Sequence, residues 1–71
     1  MGVYELLQLI ETVLGVEADT LTVGSLLGDV PQWDSLGMLN LQIDLTAIWP
    51  DVSFDGLREC RSVGDVCGLV G

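Results

Sequence analysis

The segment with the most chemical potential is Gln32-Trp33-Asp34-Ser35-Leu36-Gly37. It sets a serine hydroxyl at the first turn of a helical segment, after a long polar stretch. The first N–H groups of a helix lack intrahelical partners and form the positive end of its dipole. A phosphate attached to Ser35 would be stabilised there. The pair also has a plainer reading, because Asp34 and Ser35 are both favoured N-cap residues. Other chemistry is restricted by what is missing. The chain has no histidine and no lysine, so it cannot hold a Ser-His-Asp triad, a Cys-His pair or a histidine metal ligand. Cys60 and Cys67 fit no zinc spacing. On one helix they would stand about 10 Å apart, too far for a disulfide, and they read as reduced thiols acting as small hydrophobes. The acids do not follow the calcium-loop pattern, so no metal site is expected. With no acid/base pair beside a plausible pocket, enzymatic activity is not expected either.

The positioning elements follow from periodicity. Val3, Leu6, Leu7, Ile10, Val13 and Leu14 form one helical stripe, with Glu5, Gln8, Glu11 and Thr12 off it and Gly15 as the stop. From Val16 to Trp33 no helical period persists. Turn and cap residues alternate with apolar anchors, Leu21, Val23, Leu26 and Leu27, so this is a packed loop. A stretch that long commonly hides a helical turn, and Ser25 to Leu27 is the place for it. A second helix opens at Asp34-Ser35. One row holds Leu36, Leu39, Ile43 and Ala47; another holds Leu41, Leu45 and Ile48. Such a helix must bury one part of itself and offer the remainder to something else. Gly37 is its weak spot, and Pro50 ends it at or before Trp49. Ser53 caps a short third helix. Ser62 and Asp65 form a capping-box variant for a last one, weakened by Gly64, Gly68 and Gly71. The expected architecture is all-α: a small four-helix bundle of three longer helices and one short, in a single domain over residues 1–71.

Composition narrows the partners. Among 71 residues, two are basic and eleven acidic, a formal net charge of −9. That balance disfavours nucleic acid and anionic membranes. Hydrophobic residues make up 49%, so the chain folds as a small core inside an acidic shell. No signal peptide and no membrane span is visible, and Met1-Gly2 lacks the Ser or Thr that an acylation motif wants where Leu6 stands. A cytoplasmic monomer is expected. Trp33 reads as a loop anchor or part of a partner face, with anchoring ahead. Trp49 reads as packing the second helix against the third. Arg58 and Arg61 read as surface charges pairing with nearby acids, worth little each.

Asp34-Ser35-Leu36 resembles the Asp-Ser-Leu attachment motif of acyl carrier proteins. The order of elements, the acidic charge and the closing Ser62-Val63-Gly64-Asp65-Val66 are similar to that family over essentially the whole chain. Trp33 and Gly37 around the motif resemble stand-alone carriers of specialised secondary metabolism. The resemblance implies a fold of acyl-carrier-protein type with 4'-phosphopantetheine attached covalently to Ser35. Asp34 would help place coenzyme A and magnesium in the phosphopantetheinyl transferase. Leu36, Leu39, Asn40 and Ile43 would meet acyl-loading and acyl-processing enzymes, and core residues of the first helix would line a pocket for an acyl chain. The family usually lines the exposed face of its second helix with acids. Here Gly37, Asn40, Thr46 and Ala47 stand there, and Asp44 occupies a usually small apolar position. This departure implies a dedicated partner set. Two rivals stay open: an aminoacyl or peptidyl carrier, and a cofactor-free helical interaction module that docks through the second helix.

Overall fold

The structure, a computed structural model, describes residues 2–70. Met1 and Gly71, the latter counted above among the glycines of the last helix, lie outside them. The described residues form four helices: α1 (Val3–Leu14), α2 (Ser35–Thr46), α3 (Phe54–Arg58) and α4 (Val63–Val70). α1 packs on α2 and α4, α2 on α3, and α3 on α4. No helix among the described residues is long and apolar enough to cross a membrane.

α1 ends where Gly15 was expected to stop it. Gly15 takes the left-handed conformation (φ 76°) and donates to the carbonyls of Glu11 and Thr12, while Val16 donates to Glu11. This satisfies carbonyls that the helix end orphans. Leu6, Ile10 and Leu14 enter the core, whereas Val3 at the helix start is exposed. Glu11 departs from the expectation. Placed off the stripe by sequence, it is only 3% exposed. Its Oε2 accepts the buried N–H of Leu21 at 2.9 Å and so ties the start of the loop to α1.

The loop is packed, but not by all the anchors expected. Leu21 and Leu27 are buried, while Val23 and Leu26 are exposed. The backbone holds those positions instead. Leu27 N–H donates to Arg61 O (2.9 Å), Val63 N–H to Ser25 O (2.9 Å) and Gly64 N–H to Val23 O (2.8 Å). A Cβ on Gly64 would lie 2.8 Å from the Val23 carbonyl oxygen. Glycine thus permits the close pass of loop against α4. The hidden turn is a 3₁₀ turn at Leu27–Asp29, two residues later than expected.

α2 ends at Thr46, ahead of Pro50. Leu41 and Leu45 are fully buried; Ile48, beyond the helix end, is exposed. Ser53 Oγ accepts the Gly56 N–H (3.0 Å) to start α3. The reciprocal cap of α4 forms: Ser62 Oγ accepts from Asp65 N–H (3.2 Å), and Asp65 Oδ2 accepts from the N–H groups of Arg61 and Ser62. Those two amides hold the exposed Asp65 carboxyl below the usual carboxylate range. Trp33 and Trp49 both pack half-buried against the core, Trp49 in the turn between α2 and α3. The two cysteines do not share a helix, since Cys60 follows α3 and Cys67 lies in α4.

Candidate functional site

The start of α2 is locked by its own backbone. Trp33 N–H donates to Val30 O (2.9 Å), and Asp34 N–H to Gln32 O (3.0 Å). Asp34 is the N-cap: its Oδ1 accepts from Gly37 N–H at 2.8 Å, and its carbonyl accepts from Met38 N–H at 2.9 Å. The tight turn presses the Gln32 carbonyl onto Gly37, where any Cβ would collide with it and would also sit 3.2 Å from Leu14 Cδ2. Gly37, a weak spot by helix propensity, is therefore the residue that lets loop and helix meet. Sequence reasoning missed it because the collision depends on where a carbonyl five residues earlier points.

Asp34 alone takes the cap, so Ser35 is not the capping residue. Ser35 is the first helical residue and is exposed. Among the described residues its hydroxyl has no hydrogen-bond partner, and the N–H groups of Ser35 and Leu36 have none either. An anion bonded to Ser35 Oγ would meet two free donors and the positive end of a helix of twelve residues.

Leu36 (66% exposed), Leu39 (45%) and Ile43 (57%) form an apolar strip along the outer face of α2, with exposed Asn40 among them. Asp34 caps the helix ahead of the strip, and Asp44 is the one acid within α2. The α1 residues expected to line an acyl pocket are mostly closed into the core. Leu14 reaches a shallow depression of about 210 Å³ beside the start of α2, shared with Val13, Gln32, Leu36 and Asn40, and Val3 and Leu7 border a larger open one of about 540 Å³ with Tyr4, Leu21 and Val23.

The remaining reactive groups are subdued. Burial, aided by Asp65 and Glu59, pushes the Cys60 thiol up, and burial does the same for Cys67. Both stay protonated at neutral pH, which makes them poor nucleophiles. Cys60 Sγ donates to the Gly56 carbonyl at 3.3 Å. Among the described residues no three His, Cys, Asp or Glu side chains cluster as a metal site. Arg58 pairs with Asp55 at 3.8 Å, both exposed, whereas Arg61, expected to pair as well, makes no ion pair among the described residues. Comparison with protein-family models, with curated proteins and with solved structures returned no match.

Proposed function

We propose that this chain is a carrier protein of acyl-carrier type, bearing 4'-phosphopantetheine on Ser35 and presenting acyl groups to partner enzymes. The observation that carries this reading is the exposed, unpartnered Ser35 hydroxyl at the first residue of α2, on a base fixed by the Asp34 cap and the Gln32–Gly37 contact. The residues fit the group. The hydroxyl is accessible, two free N–H groups adjoin it, and Asp34, whose cap bond uses one carboxylate oxygen, would help place coenzyme A and magnesium in the transferase. When bound, phosphopantetheine supplies a flexible arm whose thiol holds an acyl group as a thioester. The chain's own part is presentation. The first turn of α2 fixes where the arm begins, and Leu36, Leu39 and Ile43 give each partner an apolar landing strip. A strip with few acids around it makes partner binding weakly dependent on salt. The enzymes it serves are accordingly a dedicated set that docks by apolar contact.

The exposed strip also favours a second reading, a cofactor-free module that docks a helix of another protein through α2. Intact mass separates the two. After incubation with coenzyme A, magnesium and a broad-specificity phosphopantetheinyl transferase, the native chain should gain one phosphopantetheine and Ser35→Ala none. Absence of any gain on the folded native chain, repeated with the transferase of the source organism, would rule out the carrier and leave the docking module.

A further inference from the structure

Between the loop and the α3–α4 connection lies an open groove of about 440 Å³, walled by Leu26, Leu27, Trp33, Cys60 and Arg61, with Asp29 at its side. Its volume falls in the range of small-molecule sites. Leu26, which borders this groove and the neighbouring one beside Pro31, is 56% exposed. Trp33 stands two residues before Ser35, at most about 7 Å along the chain, so the groove begins next to the attachment point.

Arg61 gives the groove its chemistry. The chain has two cations and no lysine or histidine. Arg58 is engaged with Asp55. Arg61 makes no ion pair within 4 Å among the described residues; Asp65, held by the backbone N–H groups of Arg61 and Ser62, interacts with its charge only from farther off. On a chain of net charge −9 an anionic group is repelled by most of the surface, and Arg61 is the residue of this groove's wall that offsets the repulsion, against Asp29. The depression beside Ser35 that includes Leu14, Leu36 and Asp34 holds no cation.

Resting on the carrier reading, we propose that this groove seats the cargo end of the arm and that Arg61 selects acyl groups ending in a carboxylate. Leu26 and Trp33 accept the methylenes. The guanidinium pairs with the terminal carboxylate through its planar donors.

The test loads Ser35 with amide-linked pantetheine analogues carrying succinyl or butanoyl, equal in carbon number and different in charge. The readouts are the nitrogen–proton NMR signals of the Trp33 indole and the Arg61 guanidinium. The succinyl form should move both relative to the unacylated arm; the butanoyl form should leave Arg61 in place. Arg61→Gln should make the two loaded forms alike at Trp33, and Arg58→Gln should not. Residue 61 bonds Leu27 and Asp65 through its backbone, so the Gln variant keeps the fold, checked by circular dichroism. With true thioesters, succinyl hydrolysis should run about threefold faster in Arg61→Gln than in the native chain, the worth of one exposed ion pair. Successful loading with Arg61 signals identical in both forms overturns the groove and leaves the carrier standing. Failure to load overturns both.

Discussion

Replacing Glu11 by alanine tests whether the loop before the candidate site hangs on one buried carboxylate. Glu11 is 3% exposed and its only protein donor among the described residues is the Leu21 N–H, 2.9 Å away and buried with it. In Glu11→Ala that N–H loses its acceptor inside the protein, at a cost of about 1–3 kcal/mol. The whole domain, at about 0.05–0.15 kcal/mol per residue, holds only about 4–11 kcal/mol. A loss near 2 kcal/mol lowers Tm by about 8–16 °C for a domain of this size. Removing one charge from a −9 chain also eases self-repulsion, which works the other way. Glu11→Gln separates the two effects. It removes the same charge but keeps an amide oxygen for Leu21, and should cost about 1 kcal/mol. The assay is urea unfolding followed by tryptophan fluorescence, with hydrogen exchange at the Leu21 amide. Glu11→Ala should be the weaker of the two variants by about 1 kcal/mol or more, with Leu21 exchange faster by a factor of ten or greater. Equal stability of the Ala and Gln variants, or unchanged exchange at Leu21, would refute the tether.

Two glycines should respond oppositely to the same substitution. Gly68→Ala, in α4 with open space around the new methyl, should stabilise by up to about 1 kcal/mol; Gly37→Ala, which strikes the Gln32 carbonyl, should destabilise by about 1–3 kcal/mol despite the better helix former. Chemical denaturation reads both, and a stabilised Gly37→Ala would contradict the close pass. Asp65 is held below its ordinary pKa by the amides of Arg61 and Ser62, so its contribution is fully present above the unfolded value of about 3.9 and is lost as pH falls through the lower folded value. Asp65→Ala should therefore be less stable than native at neutral pH, with the gap closing below about pH 4; a gap that stays constant to pH 2 would argue against the cap. Raising salt from about 10 mM to 0.5 M should move the urea midpoint upward, because a −9 chain with one ion pair among its described residues has more repulsion than attraction to screen. A falling midpoint would mean that attractive pairs dominate after all.

The legible parts of this fold are those decided within four residues. Gly15 as a stop, Ser53 as a cap and the Ser62–Asp65 box needed only local chemistry, and each makes the bonds its type implies. What escaped depends on distant backbone. Glu11 looks like a surface residue of α1 because its partner is an amide ten positions later. Val23 and Leu26 look like anchors because apolar residues in a loop usually are, yet carbonyl and amide bonds to the start of α4 hold that stretch and leave both side chains outside. Gly64 reads as a defect in a weak helix until the Val23 carbonyl is placed against it. At the candidate site, residue types pointed to Ser35 and to the Asp34 cap. The rigidity of the turn rests on Gly37, whose part was invisible without the Gln32 carbonyl.

α2 shows why periodicity alone could not choose a buried side. Apolar residues surround most of it, and only the fold decides that Leu41 and Leu45 disappear while Leu36, Leu39 and Ile43 stay outside. Each large aliphatic side chain left in water forgoes about 1.5–3 kcal/mol of burial. Leu36, Leu39 and Ile43 are about half exposed, so together they forgo about 2–5 kcal/mol, a sizeable part of the stability of so small a domain. Scattered exposed leucines need no explanation, but a contiguous strip does. The strip begins one residue after Ser35, so whatever covers it also approaches the hydroxyl. Self-association is the obvious hazard of such a face, and a charge of −9 on every copy opposes it while leaving uncharged or basic partners free to bind. In the proposed carrier the acidic shell thus keeps copies apart, the apolar strip draws partners in, and the locked first turn of α2 fixes where the arm meets them.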